Sequence, residues 1–298
     1  MRIGIDLGGT KTEVLALDEQ DQVLYQARIA TPKDDYHASL RAIQQLVLET
    51  EAQCGIRGTV GIGTPGALSP ATGRLRNCNS TCLNDQPFLQ DISQLLEREV
   101  RLSNDANCFA LSEATDGAAS NYQVVLGVIL GTGCGTGIVI DKKILQGAHA
   151  IAGEWGHNPL PLASPQELAS ECWCGRQACI ETFVSGPALE YHYRVLSQQS
   201  KSCYQIVELA EQGDAQAESV LHDYERRLAK SLALVINILD PDVVVLGGGL
   251  SNIQRLYENV AQLWSAYIFS DRVSTRLIPP QFGDSSGVRG AAWLWPKT

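Results

Sequence analysis

The 298-residue sequence has no apolar run approaching the ~18 residues of a membrane-spanning helix. Its opening, Met-Arg-Ile-Gly-Ile-Asp, enters a strand without the apolar core of a secretory signal. These absences exclude a membrane partner and point to the cytoplasm. Clustered Lys and Arg are also missing. A formal charge of −10 argues against a nucleic-acid partner, because phosphate contacts need basic patches. Nine cysteines, an odd number without a regular framework, read as reduced thiols and metal ligands rather than disulfides. Neither common nucleotide loop is present. With no G-x-x-x-x-G-K-[ST] and no G-x-G-x-x-G opening a helix, both a P-loop and a dinucleotide fold are excluded.

What is present is a globular composition, 44% hydrophobic and 19% charged, long enough for two domains. Residues 2–7, 12–17 and 23–29 alternate as three strands joined by a Gly8-Gly9-Thr10 turn and a polar turn at 18–21. A helical period over 35–53 closes at Gly55. Short strands at 59–63 and 100–102 follow, the second running into Asn104-Asp105 and a helix at 106–114. The stretch 124–145 then repeats strand, glycine turn, strand, turn, strand. A helix at 228–239, a strand at 243–246, the Gly247-Gly248-Gly249 run and a helix over 251–269 complete the second half. Two halves on one plan predict an α/β protein of two similar lobes with a cleft between them. We expect lobes at 1–118 and 119–285, with a terminal helix from 286 packing back on the first.

Five stretches carry chemistry. Asp6 with Gly8, Gly9, Thr10, Lys11 and Thr12 sets backbone amides, hydroxyls and an ammonium beside a carboxylate at a strand end, which suits phosphate oxygens and Mg2+. Thr132 and Gly133 sit in the equivalent second turn. Either turn alone also reads as a simple hairpin. Gly248 and Gly249 let a flat ring or sugar approach the backbone, or they merely connect strand to helix. Asn104-Asp105 ends a strand before a helix, where an Asp N-cap is the ordinary explanation. In the fifth stretch, Cys172, Cys174 and Cys179 lie within eight residues, and His157 precedes the first of them by 15. A closed Cys3His shell would be a structural Zn2+ site. The alternative is three buried thiols and a hydrogen-bonded histidine. Glu154 and Glu181 flank the cluster.

Together, Asp-Leu-Gly-Gly-Thr-Lys-Thr, Val-Gly-Ile-Gly-Thr-Pro-Gly, Asn-Asp-Ala-Asn-Cys, Gly-Thr-Gly-Cys-Gly-Thr-Gly, Gly-Glu-Trp-Gly-His, C-x-C-G-x-x-A-C-x-E and Gly-Gly-Gly-Leu-Ser resemble the ROK sugar kinases along essentially the whole chain. Other stretches, among them Asn-Ser-Thr-Cys-Leu-Asn and Gly-Glu-Trp-Gly-His-Asn-Pro-Leu-Pro, look most like bacterial fructokinases. The resemblance implies an actin-like, RNase H-like two-lobe fold, ATP, Mg2+, a structural zinc and a homodimer. It assigns the general base to Asp105 and hexose contacts to Asn79, Asn104, Glu154, His157 and Glu181. Phosphate contacts fall to residues 8–12, Thr132 and Gly133, and His157 serves metal and sugar with one ring nitrogen each. Two positions depart from the pattern: Ala178 stands where the knuckle usually has Gly, and Cys82 where relatives carry an aromatic. The expectation is transfer of phosphate to the 6-hydroxyl of fructose, with mannose second and N-acetylglucosamine kinase or glucokinase activity as alternatives. A sugar-responsive DNA-binding regulator is disfavoured, because the first phosphate turn begins at Gly8 and leaves no room before it for a helix-turn-helix domain.

Overall fold

Two five-stranded sheets with one strand order organise the chain, whose computed structural model describes residues 1–297. Strands β1 (Arg2–Leu7), β2 (Lys11–Leu17) and β3 (Val23–Ala30) form the first meander, followed by helix α1 (Tyr36–Cys54), β4 (Thr59–Thr64), the short pair β5 (Ala67–Leu68) and β6 (Leu75–Arg76), α2 (Phe88–Leu96), β7 (Val100–Asn104) and α3 (Asp105–Thr115). The second meander is β8 (Val124–Leu130), β9 (Cys134–Ile140) and β10 (Lys143–Ile144). After it come α4 (Pro165–Leu168), α5 (Glu181–Val184), α6 (Gly186–Ser197), α7 (Cys203–Glu211), α8 (Ala215–Leu239), β11 (Val243–Gly247), α9 (Arg255–Leu263), β12 (Arg276–Ile278) and α10 (Ser286–Trp293).

The sheet orders are β3-β2-β1-β4-β7 and β10-β9-β8-β11-β12. In each, an antiparallel meander continues into two parallel strands, as β1 pairs β4 and β4 pairs β7, while β8 pairs β11 and β11 pairs β12. The duplicated plan expected from the two glycine turns is therefore present strand for strand. The strand β12 had no counterpart in the sequence reading, since three residues are too few for a period.

The chain divides into two compact units. Residues 1–120, 137–152 and the stretch from Asp284 form the first, and residues 121–136 with 153–283 form the second. Residues 137–152, counted with the second lobe from sequence, group with the first unit because β9 carries the chain from one unit into the other. In the first unit, β1 is almost wholly buried, and its alternate residues Ile3, Ile5 and Leu7 share one core with Leu40, Ile43 and Val47 of α1. Helix α1 starts where the Asp35 side chain accepts the Ala38 amide and stops at Gly55 in the left-handed region, φ 67°. Helix α10 lies close against the same sheet, which is possible because a side chain at Gly4 or Gly61 would collide with the α10 backbone at Val288 and Ala291.

In the second unit, α8 is twice as long as the 228–239 period suggested. Its first half is polar because it is held by ion pairs: buried Glu225 accepts from Arg255 and Asn259, and Glu218 also pairs with Arg255. The helix expected over 251–269 is instead a 3-10 turn at Gly249–Asn252, then α9, then a second 3-10 turn at Trp264–Tyr267. Ser251 lies within the first of these turns. Its hydroxyl turns back to the Gly248 carbonyl at 2.7 Å. Among the described residues, no helix is long and apolar enough to cross a membrane.

Candidate active site

In the first unit, the turn between β1 and β2 is closed by the Gly8 amide donating to the Lys11 carbonyl at 3.0 Å and by the Thr31 hydroxyl donating to the Gly8 carbonyl at 2.7 Å. Gly9, Thr10 and Lys11 are exposed at its tip. Thr12 is not. It is fully buried, and its hydroxyl shares a 2.8 Å hydrogen bond with Thr31, so it braces the turn from beneath rather than presenting a phosphate ligand. Asp6 is the penultimate residue of β1, just before the turn. Burial, reinforced by the negative charges of Asp105 and Glu13, pushes its carboxyl up to about 7, against the pull of Lys11 and Arg28.

Asp105 opens α3, and the N-cap is its neighbour: the Asn104 side-chain oxygen accepts the Asn107 amide at 3.1 Å. The ordinary capping explanation for Asp105 therefore passes to Asn104. Asp105 Oδ1 accepts from the Asn104 side-chain amide at 2.9 Å and from the Ala106 amide at 2.7 Å, which fixes the plane of the carboxylate. Asn79 is exposed on a loop that the Asn84 side chain ties down, accepting from the Cys78 amide at 2.8 Å and donating to the Cys78 carbonyl at 3.0 Å. A cavity of about 230 Å³ adjoins it, lined by Gly9, Thr10, Lys33, Asn79, Ser80 and Cys82 among others. A thiol, that of Cys82, thus stands at the cavity edge.

In the second unit, the Gly131 amide closes on the Gly133 carbonyl at 3.0 Å, and the Gly186 amide at the start of α6 holds the Gly131 carbonyl at 2.8 Å. Thr132 is exposed at the tip, as Thr10 is in the first turn. Gly135 and Gly137 lie beyond the turn, inside β9. Gly248 sits in the left-handed region, φ 76°, against the Leu130 carbonyl, and Gly249 is exposed beside it with its carbonyl bonded to the Tyr204 hydroxyl at 3.3 Å. The unit thus gathers Gly131–Gly133, Gly248 and Gly249 at the ends of β8 and β11.

Glu154 is exposed on the turn after Gly153, whose φ of 97° and close approach to the Thr136 carbonyl leave no room for a side chain. Glu181 begins α5 and is held from two sides: Oε2 accepts the Cys134 amide at 2.8 Å and Oε1 accepts the Trp173 indole N–H at 2.5 Å. Asn84, the last residue of Asn-Ser-Thr-Cys-Leu-Asn, and Trp173, the middle residue of the C-x-C pair, lie inside the quoted stretches, but their roles come from the Cys78 backbone and the Glu181 carboxylate that they hold.

The ligand atoms of His157, Cys172, Cys174 and Cys179 all lie within 4.8 Å of one another. Cys174 and Cys179 sulfurs are 3.6 Å apart, and Cys172 sulfur is 3.8 Å from His157 Nδ1. A tetrahedron with metal–sulfur bonds of about 2.3 Å has edges of about 3.8 Å, so the four groups fit zinc. Nδ1 is the nitrogen turned to the sulfurs, which leaves Nε2 for another partner. Gly175, φ 83°, turns the knuckle, and its amide returns to the Cys172 carbonyl at 3.0 Å. Ala178 takes φ 54°, the left-handed conformation that the usual Gly adopts freely. Replacing Ala178 with Gly is therefore expected to stabilise the protein by about 0.5–1 kcal/mol, the left-handed penalty less the entropy cost of glycine. Urea denaturation with unchanged m-value checks this.

Residues 2–298 match the ROK family. The chain belongs to the ROK family, as a sugar kinase. It is 38% identical over 299 residues to a protein named N-acetyl-D-glucosamine kinase in Yersinia pseudotuberculosis, covering 99% of this chain and 98% of that one. A solved ROK hexokinase from Thermus thermophilus superimposes with a TM-score of 0.87 at 30% identity, covering 98% and 96% of the two chains. A ROK glucokinase from Streptomyces griseus, solved with glucose and AMPPNP, gives 0.81 at 26% identity, covering 100% and 99%. The two-lobe α/β sugar-kinase fold expected from sequence is thus the fold of its relatives. The fructose expectation finds no support among these relatives.

Proposed function

We propose that this kinase transfers the γ-phosphoryl group of ATP to the 6-hydroxyl of N-acetylglucosamine. The observation that carries this reading is the end-to-end similarity to an N-acetylglucosamine kinase at 38% identity, above the 30% and 26% to the hexokinase and the glucokinase. It replaces fructose as the acceptor. The cavity beside Asn79 with the small Cys82 at its edge supports it, because a 2-acetamido group needs more room than a hydroxyl.

In this reading Asp105 takes the proton of the sugar hydroxyl as the oxygen attacks phosphorus, and the fixed plane of its carboxylate supplies the orientation that general base catalysis needs. Asn79, Asn104, Glu154, His157 Nε2 and Glu181 pair the sugar hydroxyls. The exposed groups at Gly9–Lys11, on the turn that Gly8 closes, and at Thr132 with its neighbour Gly133 take phosphate oxygens, and Gly248 with Gly249 lies against the adenosine. Mg2+ bound with the nucleotide supplies positive charge on the phosphates, and Asp6 fits it, since a buried carboxyl pushed up toward neutrality is re-ionised by a nearby cation. His157, Cys172, Cys174 and Cys179 would hold a structural zinc. We place the protein in the cytoplasm as a homodimer, on the strength of the resemblance alone.

The test is a kcat/KM panel with MgATP. N-acetylglucosamine is expected to lead fructose, mannose and glucose by tenfold or more, about 1.4 kcal/mol of transition-state binding, which is the scale of penalty for leaving a buried polar group unpaired. Fructose or glucose ahead by the same margin overturns the acceptor and leaves the kinase standing.

A further inference from the structure

We propose that Trp173 is the sugar-positioning residue of this kinase: its indole N–H fixes Glu181, and its ring borders His157, so that one side chain of the knuckle sets the affinity for the hexose. This rests on the sugar roles of Glu181 and His157 given above.

Trp173 sits between Cys172 and Cys174 and is 74% exposed, unusual for a side chain that is normally largely buried. Loose exposure would leave its N–H to water. Instead Nε1 donates to Glu181 Oε1 at 2.5 Å, a charge-assisted hydrogen bond, and the ring meets the His157 imidazole edge-on with centroids 5.1 Å apart and planes at 81°. Trp173 is thus the neighbour shared by two of the proposed sugar contacts.

The consequence lies in what remains of the carboxylate. Ionised, Glu181 offers about four lone-pair sites. The Cys134 amide takes one on Oε2 and Trp173 takes one on Oε1, so each oxygen is anchored and each keeps an acceptor direction for a hydroxyl. Two anchors from separate segments, the knuckle and the start of β9, remove the rotamer freedom that Glu181 would otherwise lose on binding sugar. Without the N–H, the backbone amide alone would leave Oε1 free to swing. The knuckle then does more than brace a loop, because closing it delivers Trp173 to Glu181.

Two replacements separate this role from packing. Trp173→Phe keeps an aromatic ring and removes the donor, while Trp173→His restores an N–H on a smaller ring. Trp173→Phe is expected to raise KM for N-acetylglucosamine about tenfold, with kcat changed by less than about threefold and KM for ATP unchanged. Zinc content and melting temperature stay at wild-type values, and Trp173→His recovers part of the lost affinity. Titrating N-acetylglucosamine without nucleotide gives an independent reading: an intrinsic fluorescence change seen in the wild type is lost in Trp173→Phe. A sugar KM within about twofold of wild type in Trp173→Phe overturns the proposal. So does equal loss of sugar and ATP affinity together with zinc, which marks a structural residue, or unchanged kinetics with an altered oligomeric state, which marks a subunit contact. Should the wild type prefer another hexose, the acceptor assignment fails, and the same variants measured with that hexose still decide the role of Trp173.

Discussion

Asp105→Asn is expected to leave a folded protein whose turnover on its best hexose falls on the order of 10²- to 10⁴-fold, the usual range for loss of a general base. The fold has little stake in this carboxylate. Asn104, not Asp105, caps α3, and its bond to the Asn107 amide is untouched by the change. An asparagine oxygen at position 105 can still accept from Ala106 and from the Asn104 side chain, as Oδ1 of Asp105 does now. Melting temperature should therefore stay near wild type. Losing the Asp105 charge also removes one of the influences that raise the Asp6 carboxyl, so Asp6 should titrate lower in the variant. Sugar and nucleotide dissociation constants, measured separately, are expected to hold while kcat collapses. A variant with wild-type kcat would make Asp105 an ordinary first-turn acid of a helix and remove the base from the mechanism.

The duplicated architecture was legible because it rests on signals of short range: alternating strands, glycine turns at 8–10 and 131–133, and the cap and stop of α1 at Asp35 and Gly55. What escaped has long-range causes. Helices α6 and α7 showed no clean stripe, since α6 leaves Tyr191, Val195 and Leu196 about half exposed beside its buried positions. The polar first half of α8 is ordered by Arg255, which arrives from the next helix. The need for glycine at 137 also escaped, because a side chain there could not clear the Ala106 carbonyl of α3.

The site divides along the same line. Residue types with an intrinsic chemistry, such as three cysteines and a histidine at close spacing or a carboxylate at a strand end, stand out in one dimension. Thr12 differs from its exposed motif neighbours because β2 is buried on both faces from Thr12 onward, which a turn motif does not reveal. Asn84 and Trp173 were missed because an amide and an indole acquire meaning only from the loop or carboxylate they hold.

If the proposed site holds zinc, the wild type is expected to bind one ion per chain, and Cys174→Ser to lose it and to lower the melting temperature by on the order of 10 °C. The geometry makes the ion hard to replace by packing. Cys174 is the half-exposed corner of a four-ligand cluster spanning 4.8 Å, and the segments it joins have few other anchors: the Pro159–Cys179 and Glu171–Gln177 bridges and the turn at Gly175. Zinc contributes about 10–16 kcal/mol in isolated finger peptides. Here each unit has its own core, and α4 is separately clamped to α8 through buried Glu167, which pairs with Arg227 and lies 3.8 Å from the Lys230 ammonium. The loss should therefore amount to several kcal/mol confined to residues 157–181, and about 1 kcal/mol shifts a unit of this size by 2–4 °C. Sugar affinity should fall with it, because His157, Trp173 and Glu181 all ride on the segments the metal joins, while ATP affinity should change far less. Metal analysis of purified protein, thermal melts and the two KM values form the test. Unchanged zinc content and melting behaviour in Cys174→Ser would return the four residues to buried thiols beside a hydrogen-bonded histidine, and would leave Glu181 to be held by Trp173 and Cys134 alone.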